Sequence, residues 1–86
     1  MYMVGANVLS DFWRDHPEAE GELRALHALL TETECAGLPA ALGKTAIFDA
    51  CGADIRLRSA TVRLEISEAA NVGRYAAVKP VEEGTP

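Results

Sequence analysis

Eighty-six residues, 49% of them hydrophobic and 24% charged, suffice for one hydrophobic core and leave no room for a second domain. No run approaches the ~20 apolar residues of a membrane-spanning helix, and the N-terminus lacks a basic flank followed by an apolar secretory segment, so a soluble cytoplasmic protein is expected. A net charge of −5 argues against a surface that is basic throughout, as phosphate-gripping proteins often present.

Met1 to Val4 is a short apolar run ended by Gly5 and reads as a first strand. Asn7 suits the cap of a following helix, because its side-chain oxygen can accept from a backbone N–H two or three residues on. Leu9, Phe12 and Trp13 fall at i, i+3 and i+4, and Ala19, Leu23, Leu26 and Leu30 repeat at spacings of 4, 3 and 4. Each half therefore carries one helical apolar stripe, while Asp11 and Asp15 leave the stripe and should face water. Pro17 favours a first helical position and pushes His16 out of the α region, so one helix should end near Asp15 and the next begin at Pro17. Glu18, Glu20 and Glu22 then sit in the opening turns, where the helix dipole favours a carboxylate by roughly 0.3–1 kcal/mol each. Gly21 costs about 1 kcal/mol relative to alanine if interior and exposed, which the apolar stripe outweighs.

From Thr31 to Lys44 the pattern breaks, with Gly37, Pro39 and Gly43 bracketing Leu38 to Leu42, and a loop with one helical turn is expected. Ala46, Ile47, Phe48 and Ala50 form a run, ended by Gly52, too short to decide between strand and helix, with Phe48 assigned to the core. Ile55 and Leu57 alternate with Arg56 and Arg58, and Val62, Leu64 and Ile66 alternate with Thr61, Arg63 and Glu65. Such alternation describes two strands with one apolar and one charged face, joined by a hairpin at Ser59 and Ala60. Asn71 and Gly73 supply the next turn and Arg74 to Lys79 a returning strand, so residues 1–79 form the domain and 80–86 a polar tail. The expected fold is α+β: an N-terminal strand and a two-helix hairpin packed on a small, mostly antiparallel sheet. Its core should comprise Phe12, Trp13, Leu23, Leu26, Leu30, Phe48, Val62, Leu64 and Ile66.

Charge is unevenly spread. Residues 1–34 carry seven acids against Arg14 and Arg24, whereas residues 55–79 carry five basic residues against Glu65 and Glu68. Acidic helices should thus back a mildly basic sheet. Cys35 and Cys51 lack Cys-x-x-Cys spacing and nearby histidines, so free thiols are expected rather than a zinc or redox site. His16 and His27 read first as a corner residue and a packing or solvated residue. There is no Walker loop, Gly-x-Gly-x-x-Gly, His-Glu-x-x-His or calcium loop, and neither cofactor nor metal is expected.

The pattern Leu9, Phe12, Trp13, His16, Pro17, Ala19, Leu23 after a short strand resembles the N-terminal region of HigB-family toxins, members of the RelE/ParE superfamily of small ribosome-dependent mRNA endonucleases. Asn71, Arg74 and Tyr75 are similar to the family's Asn and Arg-Tyr elements. The resemblance implies a RelE/ParE-like fold and a toxin–antitoxin role, with an antitoxin protein and ribosome-bound mRNA as partners. Metal-independent cleavage needs a base near the ribose 2′-OH, cations around the phosphate and an acid at the leaving oxygen. The catalytic candidates are Arg74 and Tyr75, and the RNA-binding candidates Arg56, Arg58, Arg63 and Lys44; arginines alternating on a half-exposed sheet also simply solvate its outer face. The family continues past its Arg-Tyr strand into a segment with histidine, tyrosine and acidic positions, whereas no histidine follows His27 here. Leu26 and His27 also replace the family's late-helix aromatic residues. The scaffold is therefore expected with some of its catalytic apparatus absent. The alternative is a non-catalytic inhibitor of a nucleic-acid-processing complex, such as a phage anti-CRISPR protein, whose acidic helical face (Asp15, Glu18, Glu22) docks on a basic protein partner. An oligomerisation or antitoxin-side module is a third class on which the sequence is silent.

Overall fold

A computed structural model describes residues 1–81. Strand β1 (Tyr2–Val4) leads into helix α1 (Ala6–Asp15), a 3₁₀ turn (Pro17–Ala19) and helix α2 (Glu20–Glu32). A 3₁₀ turn (Cys35–Gly37), the short helix α3 (Leu38–Leu42) and a further 3₁₀ turn (Gly43–Thr45) precede strands β2 (Ala46–Phe48), β3 (Gly52–Arg56), β4 (Ala60–Ser67) and β5 (Val72–Pro80). The fold is α+β, as expected, with helices on one face of a five-stranded sheet of order β1-β5-β4-β3-β2. β2 to β5 form an antiparallel meander, and β1 adds to its edge parallel to β5. Extents of 37 × 28 × 18 Å fit one helical layer on one sheet, which leaves the other sheet face open.

The helical corner follows the sequence. His16 leaves the α region at φ −131°, ψ 70°, Pro17 opens the 3₁₀ turn, and α2 continues from it. The start of α1 differs from expectation. Gly5, not Asn7, is the residue before the first turn: at φ +83° its carbonyl accepts the Val8 N–H at 2.9 Å. That left-handed conformation is accessible to glycine at little steric cost, and Gly5 also lies close to β5, since an added Cβ would stand 3.3 Å from the Tyr75 carbonyl oxygen.

Leu23, Leu26 and Leu30 bury the α2 stripe against Ile55, Val62 and Leu64 of the sheet, each fully buried aliphatic side chain contributing about 1.5–3 kcal/mol. Three assignments change. The helical turn expected after α2 is a third helix, α3, which adds to the expected two and buries Leu38 and Leu42. Phe48 lies outside the core, 38% exposed, because β2 is an edge strand. Phe12, Trp13 and Ile66 are half-buried at the rim, whereas Leu9 and Tyr75 occupy the centre. β5 runs to Pro80, one residue beyond the expected strand, and residues 82–86 of the expected tail lie outside the described residues.

Candidate functional surfaces

Strand pairing fixes which side chains share the open face. Val4, Arg74 and Glu65 form one row, Ala77, Arg63, Asp54 and Ile47 the next, and Lys79, Thr61 and Arg56 the last. Two of the arginines are engaged locally. Arg63 lies 2.6 Å from Asp49 Oδ2 and 3.4 Å from Asp54 Oδ1. Asp49 also accepts the backbone N–H groups of Cys51 and Gly52, both at 2.9 Å, and the Arg63 hydrogen bond above all holds its carboxyl down to about 2. Arg74 donates from Nε to Glu65 Oε1 at 3.0 Å and also pairs with it through Nη2.

The remaining cations collect elsewhere. Arg56 and Lys79 flank Thr61 in the last row, Arg58 stands in the β3–β4 turn, and Lys44 precedes β2 at the end where Ala46 pairs with Ile55. None of these four makes an ion pair among the described residues. The sequence candidates thus divide into a basic hairpin end (Lys44, Arg56, Arg58) and two neutralised arginines (Arg63, Arg74).

Tyr75 belongs to neither group. Arg74 and Tyr75 are consecutive in a strand and so face opposite sides of the sheet. Tyr75 is 2% exposed beneath the helices, with its hydroxyl 2.8 Å from His27 Nδ1. Burial pushes the phenol's pKa upward, so it keeps its proton while sharing a hydrogen bond with the imidazole. The structure does not bring Arg74 and Tyr75 together: one is on the open face and the other in the core. The exposed phenol of Tyr2 lies in the Val72 row, at the opposite end of the sheet from Lys79. The His27–Tyr75 bond escaped the sequence reading because helix and strand positions separated by 48 residues carry no mutual signal.

The acidic candidates divide too. Glu22 accepts the backbone N–H groups of Arg58 at 3.0 Å and Ser59 at 2.9 Å, and the Ser59 hydroxyl as well. The Ser59 hydroxyl above all, with the backbone donors, lowers its pKa. Glu22, a partner-facing candidate in the sequence, is thereby a clasp between α2 and the β3–β4 turn. Asp15 and Glu18 are exposed at the helical corner, where Glu18 lies 3.6 Å from His16 Nδ1. A shallow cleft brings His16 and Glu18 beside Arg58, Ser59 and Pro80. The acidic corner and the basic hairpin end are consequently neighbours, although 40 positions separate Glu18 and Arg58 in the chain.

Comparison with known proteins found no matching family model, no matching curated protein and no matching solved structure.

Proposed function

We propose that this chain is a HigB-type, RelE/ParE-like scaffold that acts by binding a protein partner rather than by cutting RNA, as an inhibitor of a nucleic-acid-processing complex. The observation that carries this reading is the burial of Tyr75 against His27, on the far side of the sheet from Arg74. Without that pair, the open face offers cations for a phosphate but no imidazole, and its one phenol, Tyr2, stands at the far end of the sheet from the unpaired cations. Support for the scaffold comes from the element order of strand, helical corner and antiparallel meander. Support for the docking surface comes from Asp15 and Glu18, exposed carboxylates at a corner from which Glu22 has been withdrawn. A basic partner surface of the kind that holds nucleic acid would be attracted to them.

One observation favours an RNA-contacting toxin as the second reading: Lys44, Arg56, Arg58 and Lys79 share one end of the sheet with no ion-pair partner among the described residues. Expression from a tightly repressed promoter, with growth and the 5′ ends of translated mRNAs followed together, separates the two. The binding reading expects normal growth and intact mRNA, together with a protein complex weakened by Asp15→Lys or Glu18→Lys. Growth arrest with new mRNA ends, relieved by Arg74→Ala, would instead establish an active endoribonuclease.

A further inference from the structure

The N-terminal strand brings together three sulfur atoms that none of these readings uses. Cys35 Sγ stands 3.3 Å from Met1 Sδ, and both residues are only 8% exposed. Beside them, Gly73 leaves a small space: a Cβ there would lie 3.0 Å from Met1 Sδ and 3.0 Å from Met3 Sδ, so both thioethers border the same point. The backbone around the cluster is fixed. Asn71 Oδ1 accepts the Cys35 N–H at 3.1 Å, and the N-terminal ammonium donates to the Thr33 and Thr31 carbonyls at 2.8 and 3.4 Å. A cavity of about 460 Å³, lined by Cys35, Cys51, Ile66 and Glu68, supplies a route from solvent to the thiol.

One thiol and two thioethers form a soft donor set, which selects Cu(I) over the harder divalent ions. Zinc would need nitrogen, oxygen or further thiolate ligands, and no group of three His, Cys, Asp or Glu side chains able to hold a metal occurs among the described residues. With metal–sulfur bonds of about 2.3 Å, three sulfurs around one ion sit about 4 Å apart, a spacing that small rotations of flexible methionine side chains can reach. The Cys35 thiol, within hydrogen-bonding reach of Met1 Sδ at 3.3 Å and of the Ser67 carbonyl oxygen at 3.9 Å, would give up its hydrogen to such an ion. We propose that Cys35, Met1 and Met3 form a binding site for one Cu(I) ion. Loading exchanges the thiol proton for the metal, Cys35–SH + Cu(I) → Cys35–S–Cu(I) + H⁺, with no change in oxidation state.

The test is an anaerobic titration of the whole protein with Cu(I) in competition with a chromophoric Cu(I) chelator, repeated with Ag(I) as a redox-silent probe. One ion per chain is expected for the wild type. Cys35→Ser should abolish binding, Cys51→Ser should leave it unchanged, and Met3→Leu, which keeps volume, should weaken it about 10- to 100-fold. Circular dichroism of each metal-free variant establishes that it is folded. Failure of the wild type to compete, loss of binding in Cys51→Ser, or unchanged affinity in a folded Met3→Leu would each overturn the site.

Discussion

Tyr75 shows how one side chain decides between chemistry and packing. Its ring fills the centre of the core and its hydroxyl is satisfied by His27 Nδ1, so each portion of the residue has a structural task. Tyr75→Phe should keep the packing while leaving the imidazole nitrogen without its hydrogen-bond partner, at a cost of about 1 kcal/mol. Tyr75→Ala should cost about 3–5 kcal/mol, the range for removing a buried aromatic ring. Denaturant unfolding of the two variants measures both. Equal stability of all three proteins would mean that the ring is not in the core. An assay of Tyr75→Ala alone would therefore confuse unfolding with loss of catalysis, whereas Arg74→Ala, on the exposed face, should change stability by less than about 0.5–1 kcal/mol.

At the scale of elements, two glycines with opposite surroundings give opposite predictions. Gly21 lies in the first turns of α2 with nothing within 4 Å of an added Cβ, so Gly21→Ala should stabilise by about 0.5–1 kcal/mol through helix propensity and a less flexible unfolded chain. Gly52 opens β3 directly against β4, where an added Cβ would meet the Leu64 carbonyl oxygen at 1.9 Å. Gly52→Ala must push these paired strands apart and should cost about 3 kcal/mol or more. Thermal unfolding reads both, and a stabilised Gly52→Ala would show that β3 and β4 are paired differently. Only the first of these was legible in the sequence, where Gly21 stood out against a helical stripe. Gly52 read as the end of a run, because proximity to another strand leaves no local trace. The same distinction governs the fold. The α1–α2 corner and the β3–β4 hairpin rest on periodicity, Pro17 and alternation, which are local. The edge position of β2, which exposes Phe48, and the parallel pairing of β1 with β5 depend on strand order and were not legible.

Across the whole molecule, two carboxylates pin successive turns of the meander: Glu22 holds the β3–β4 turn to α2, and Asp49 closes the β2–β3 turn while binding Arg63 of β4. Sequence spacing marked Glu22 as a helix-opening acid on a docking face and gave Asp49 no role, since both act through distant partners. Their pKa values are lowered from 4.5 and 3.8 respectively, Asp49 to about 2, so each favours the folded state in its charged form. For a depressed folded pKa, the stabilisation is complete above the unfolded value and disappears as pH falls through the folded one. Stability should therefore hold between neutrality and about pH 5.5, then fall steadily towards pH 2 as the sheet loses its clasps. Glu22→Gln and Asp49→Asn should each lower stability at pH 7 and flatten the acid limb, and the double variant should flatten it further. Urea unfolding at half-unit pH intervals gives the curves directly. An acid limb of unchanged slope in the double variant would mean that other carboxylates carry the acid sensitivity and that these two turns are held by backbone pairing alone.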